Sequence, residues 1–167
     1  DNAGGGAPGD GTTILAELLD QSARNAVMVL CDGQAVAAAK ALGVGAMFSG
    51  NVGGKSDDLH GPPVPLVGEI IFQQHVRYRR RGDYMTGQQI DLGEVAVIQA
   101  DGVKVMLTEA KAMPFDADHL AAADIVAEAQ HIIVVKSAIA WQAHFRAFAK
   151  GEIYVDTPGV CASNLKR

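Results

Sequence analysis

Residues 95–108, VAVIQADGVKVMLT, read as two strand-forming runs joined by Asp101-Gly102. Asp and Gly both tolerate a positive φ, so the pair suits a two-residue turn between antiparallel strands. Upstream, AVMVLCD (26–32) is a continuous apolar run that ends at Asp32-Gly33. A strand with no polar alternation is one covered on both faces, the habit of parallel sheets. One sheet holding both kinds of strand is a mixed sheet. The expected fold is therefore α/β, with a parallel centre, an antiparallel hairpin insertion and helices on both faces.

The flanking segments fit this frame. TTILAELLDQSA (12–23) places Ile14, Leu15, Leu18 and Leu19 at helical spacing, with Asp10 or Thr12 positioned as its cap. QAVAAAKAL (34–42) reads as a helix closed by Gly43, and AMFSGNV (46–52) as a strand. GGKSDDLHGPPVP (53–65) is loop, and LVGEIIFQQHVRYRRR (66–81) alternates like a long strand. The last third predicts a helix over 118–129, a strand over 131–136, a helix over 137–149 and a strand over 152–156. No internal repeat is present.

Composition narrows the function. A chain of 167 residues that is 49% apolar suits a single domain with one core, over residues 1–167. A net charge of -5 leaves no basic face for a phosphate backbone, so no nucleic acid is expected as partner. HIIVVKSAIAW (131–141) is cut by Lys136, well short of the roughly 20 apolar residues a membrane crossing needs. Two distant cysteines, Cys31 and Cys161, form no disulfide framework, which favours the cytoplasm. A start at Asp1, inside a glycine-rich loop, reads as the later part of a longer polypeptide.

The opening DNAGGGAPGDGT (1–12) is an anion site in outline. A glycine-rich turn entering a helix gathers backbone N–H groups, and the helix dipole adds positive charge there. Gly4, Gly6 and Gly9 satisfy G-x-G-x-x-G, with Asp32 at the end of the next strand, so a nucleotide- or phosphate-binding module is one alternative. No strand precedes these glycines in the sequence, and Pro8 interrupts them. SGNVGGKS (49–56) nearly matches a phosphate-binding loop, but Pro62, Pro63 and Pro65 forbid the helix such a loop must open. The five histidines, His60, His75, His119, His131 and His144, lie at no metal-ligand spacing. Asp116, Asp118 and His119 sit at a helix start, where acids favour the dipole. G-x-S-x-G is absent, and Ser137 after Lys136 reads as a helix cap. No catalytic residue and no metal ligand is assigned in this chain.

In order, DNAGGGAPGDGT, VGGKSDDLHGPPV, the ADGVKVMLT hairpin and IIVVKSAIAWQAHFRAFAKGEIYVDTPGV resemble the C-terminal domain of the microcystinase C (MlrC) family of zinc metallopeptidases. The resemblance covers essentially the whole chain. It implies that zinc and the catalytic acid belong to an N-terminal metal-binding domain absent from this chain, which alone would be inactive. The cleft between the two domains is then the expected place for a short peptide or amide substrate. Gly5, Gly6 and Asp10 at the helix start, with Lys55, Lys136, Ser137 and His144, are expected to line it. Their role would be to bind the carboxylate or backbone of the substrate while zinc in the other domain activates water. The backbone nitrogens of residues 5–9 and the Lys136 amine should then face one cleft, joined by Lys55 if its loop folds inward. An interaction domain serving oligomerisation, as in a homo-oligomer, is the other alternative.

Overall fold

The computed structural model describes residues 1–161. The hairpin forms from β4 (Gln89–Ala100) and β5 (Val103–Thr108), closed by the Ala100–Val103 pair with Asp101 at φ +48°. Any side chain on Gly102 would collide with the Ala23 carbonyl, because the turn lies on the chain leading from α1 (Thr13–Asp20) into β1 (Ala26–Cys31). Seated there, β5 runs parallel to β1, from Ala26 opposite Val103 to Cys31 opposite Thr108. The hairpin is thus the junction between the two halves of the sheet.

Adding α2 (Gly33–Leu42), β2 (Met47–Val52), β3 (Val64–Arg79) and β6 (Ile132–Ile133) gives a six-stranded sheet in the order β2-β3-β4-β5-β1-β6. The mixed sheet is as expected in kind. Its parallel pairs are β5-β1 and β1-β6, at one side, and the antiparallel part covers β2 to β5, so it is larger than an inserted hairpin. Successive residues of β1 serve opposite faces. Met28 and Leu30 pack with Leu15 of α1 and with Ala35, Val36 and Ala39 of α2. Val27 packs with Leu120 and Ile125 on the other face. None of the described helices is long and apolar enough to cross a membrane.

The last third departs from the expectation. The helix expected over 118–129 is reduced to α3 (Asp118–Ala121) and a 3-10 turn at Ala127–Ala129. Leu120, Ala123, Ile125 and Ala127 are all buried in one cluster, at a spacing no single helix face provides, and Asp124 at φ +58° breaks the helix to bring Ile125 inward. The helix expected over 137–149 is only α4 (Gln142–Phe145), which buries Phe145 alone. A helix with so little buried face is not held by packing. The strand over 131–136 keeps Ile132 and Ile133, and residues 152–156 join no ladder.

A buried polar cluster anchors the far end of β3. Arg80, 1% exposed, donates from Nη1 to Asp116 Oδ2 at 3.0 Å and from Nη2 to the Met113 carbonyl at 2.8 Å. Its guanidinium lies 4.8 Å from the Phe115 ring centre. Burial pushes the neighbouring His119 down to about 4, so its imidazole is neutral in the fold. On acidification from 6.5 to 4 the unfolded chain takes up a proton that the folded chain excludes. Stability is therefore expected to fall by about 3 kcal/mol across that window through this residue. Denaturation at the two pH values checks this: His119→Leu should lose that part of the slope, and an unchanged slope would refute it.

Candidate functional site

At the carboxyl ends of β1 and β6 the chain leaves a cavity of about 510 Å³, lined among others by Asp1, Gly11, His60, Lys136, Ser137 and Thr157. Four segments far apart in sequence meet there. The glycine-rich opening supplies one wall, the loop ending at His60 another, the exit of β6 a third, and residues 154–158 the fourth. Ligands of open α/β sheets gather at this edge.

Where the sequence outlines an anion site, the structure places the carboxylate of the chain's own Asp1. Gly9 N–H and Gly11 N–H donate to the Asp1 carboxylate at 3.1 and 2.7 Å. Lys136 Nζ lies 2.9 Å from the same carboxylate and also donates to the carbonyls of Gly9 (2.9 Å) and Gly11 (3.0 Å). Burial pulls the Lys136 amine down to about 7, with the Asp10 carboxylate acting against that fall. Three further N–H groups of the turn are engaged as well: Gly5 and Ala7 donate to Asn2, and Gly6 donates to Ala3. A phosphate would have to displace Asp1, which weighs against the nucleotide-binding alternative.

Asp10 is 2% exposed but does not cap α1, whose N-cap Thr12 has no side-chain capping bond. Asp10 Oδ2 instead accepts the N–H groups of Lys55 and Ser56, each at 2.9 Å, fastening the 53–56 loop to the opening turn. Lys55 does not reach the cavity: its amine is 2.7 Å from Asp32, which also caps α2 at Ala35 and accepts from Gly53. Asp10→Ala is thus expected to leave α1 intact and to lower stability by about 2 kcal/mol, because two charge-assisted bonds are lost. Loss of helical signal would point to a capping role instead.

Gly5 and Gly6, expected in the cleft, do not line the cavity: the Gly5 carbonyl accepts from Cys161 Sγ at 3.2 Å, and Gly6 is exposed at φ +101°. Ser137 lines the cavity beside Lys136. His144 does not: it sits in α4, with its ring against Phe145 and Phe148. Two residues of the site were not singled out by the sequence. Asp1 was read only as part of a glycine-rich loop, and His60 only as a loop histidine at no metal-ligand spacing. His60 is 1% exposed, with Nδ1 at 2.8 and 2.9 Å from the two Asp57 carboxylate oxygens. That bond holds the Asp57 carboxyl below its ordinary value. His60 Nε2 accepts the Val160 N–H at 3.3 Å. Among the described residues, no group of three or more His, Cys, Asp or Glu side chains is placed to hold a metal ion.

Comparison with known proteins gives a consistent picture. The family model described as MlrC C-terminus matches residues 1–167. Microcystinase C of Sphingomonas sp. is 28% identical over 157 residues, covering 93% of this chain and 30% of that protein. A crystal structure described as a "Putative metallopeptidase" from Mesorhizobium sp. BNC1 superposes with a TM-score of 0.89 at 28% identity, over 95% of this chain and 32% of that one. The chain thus spans about a third of the length of either relative.

Proposed function

Because the chain belongs to the MlrC C-terminus family over residues 1–167, we propose that it is the domain forming one side of the substrate cleft in a zinc metallopeptidase-like amide hydrolase of short peptides. The observation that carries this reading is the meeting of four distant segments around one cavity, which holds Lys136, Ser137, Thr13 and His60 beside the Asp1 carboxylate. A buried ammonium with two backbone N–H groups is a fitting receptor for a carboxylate, and Asp1 displays that chemistry from within the chain. Zinc and the activated water belong, in this reading, to an N-terminal metal-binding domain outside this chain, and the enzyme works in the cytoplasm.

The surface near the cavity mouth supports a partner. Ile153 (90% exposed), Ile139 (72%), Tyr154, Val155 and Val160 are apolar and open to solvent. Apolar side chains clustered in one terminal stretch favour coverage by another protein surface. The metal-binding domain is the proposed occupant; a second copy of this chain, giving a homo-oligomer, is the competing one and would show as a dimer mass in light scattering.

The direct test joins this chain to such a metal-binding domain. The chain alone is expected to hold less than one equivalent of zinc and to hydrolyse no peptide, and the joined protein to do both. Stoichiometric zinc held by His or Asp of this chain alone would overturn the reading.

A further inference from the structure

We propose that His60 Nε2 is the cleft's acceptor for a backbone N–H of an extended peptide, and that Val160 of the chain's own terminal segment occupies it when no peptide is bound. The inference rests on the cleft reading above and names a contact that this reading leaves open. The Asp57 carboxylate accepts the Nδ1–H, so Nε2 presents a lone pair, and the ring cannot turn without breaking both contacts to the carboxylate. An acceptor on a ring that is 1% exposed needs a donor. The donor it has is a main-chain N–H, at 3.3 Å, the long end of the hydrogen-bond range.

The segment that supplies this donor belongs to no helix or strand beside the cavity; its side chains are held at Glu152 by Arg146 and at Tyr154 by Arg146 and Trp141, while its main chain meets the imidazole. Residues 152–156 form neither helix nor strand, and Tyr154, Val155 and Val160 are exposed. At Gly159 bare backbone lies against the ring: a Cβ there would stand 2.8 Å from His60 Cδ2. What the imidazole meets is therefore main chain, which any peptide carries. Thr13, Lys136 and Ser137 line the same cavity and leave room for the neighbouring residues of such a ligand. Recognition through the main chain would make the site tolerant of side chains at that position.

The experiment uses the chain labelled with ¹⁵N, and N-acetyl-trialanine N-methylamide as probe. In the free chain, the imidazole signals of His60 should show Nδ1 protonated and Nε2 bare, with the Val160 amide protected from exchange. Adding peptide should shift the Nε2 resonance and speed Val160 exchange about tenfold. His60→Phe should weaken peptide binding about tenfold, and His60→Gln, which keeps an acceptor, should restore part of it. If peptide shifts the Lys136 and Ser137 signals but leaves Nε2 and Val160 unmoved, the role of His60 is refuted and the cleft reading stands. If peptide shifts none of these signals, both fall. Unchanged affinity in His60→Phe also refutes the role, and should that variant fail to fold, the measurements on the unsubstituted chain decide.

Discussion

Asp116→Ala is expected to lower the unfolding free energy by about 3–5 kcal/mol, the largest single-residue effect the structure points to outside the cleft. Asp116 and Arg80 are each 1% exposed at the side chain and face one another at 3.0 Å. Removing the acid leaves the buried guanidinium beneath Tyr78 and Phe115 with the Met113 carbonyl and Gln88 as its remaining acceptors among the described residues. Asp116 Oδ1 also accepts the Asp118 N–H at 3.1 Å, so the start of α3 loosens at the same time. The double variant Arg80→Met, Asp116→Leu removes both charges and should recover much of the loss, since an apolar pair of similar volume is often as stable as a buried ion pair. Urea unfolding reads all three proteins. Neither Arg80 nor Asp116 lines the cavity at the carboxyl ends of β1 and β6, so the double variant should leave that cavity's lining intact. A single variant within about 1 kcal/mol of the parent would mean the pair is wetter than its burial indicates.

What the sequence revealed followed from local chemistry. Asp101-Gly102 accepts positive φ, and the apolar run at residues 26–31 had to be buried on both faces, so hairpin, β1 and the mixed sheet were legible. The two helices with clear periodicity or Ala-rich composition, α1 and α2, formed where expected. The final third was misread because its apolar residues do not share a helix face: Asp124 turns left-handed to bury Ile125, a demand set by the far side of the sheet and invisible in the local sequence. Site residues were legible as types and not as partners. Lys136 and the glycine turn do meet, but the sequence could not show that Asp1, ten residues upstream of Gly11, folds back to take their N–H groups. Lys55 was expected in the cleft because nothing in the sequence shows that Asp32, at the end of β1, comes within 2.7 Å of its amine. His60 was overlooked because its orienting acid stands only three residues away, inside a loop with no regular spacing to reveal it.

Lys136→Met is expected to lower stability by about 3 kcal/mol, because one amine ties the opening turn to the exit of β6, and to abolish carboxylate binding if the cavity plays the proposed role. Its side chain is 10% exposed, and its three acceptors come from Asp1, Gly9 and Gly11. Met keeps most of the volume, so packing changes little and the loss reports the polar contacts. After the substitution the Asp1 carboxylate, 6% exposed at the side chain, keeps its two N–H donors but loses the amine that faced it at 2.9 Å. Asp1→Asn relieves that burden. In a double-mutant cycle the Asp1 substitution should therefore cost clearly less in the Lys136→Met background than in the parent, with a coupling of about 1–3 kcal/mol. Strictly additive losses would mean that Lys136 acts through the two carbonyls alone. The cycle also bears on function: if Asp1 stands where a ligand carboxylate can bind, Asp1→Asn should strengthen binding of a small carboxylate such as acetate while Lys136→Met abolishes it. Equal, weak binding by both variants would leave the Asp1–Lys136 pair as a brace that shapes the cleft without touching its ligand.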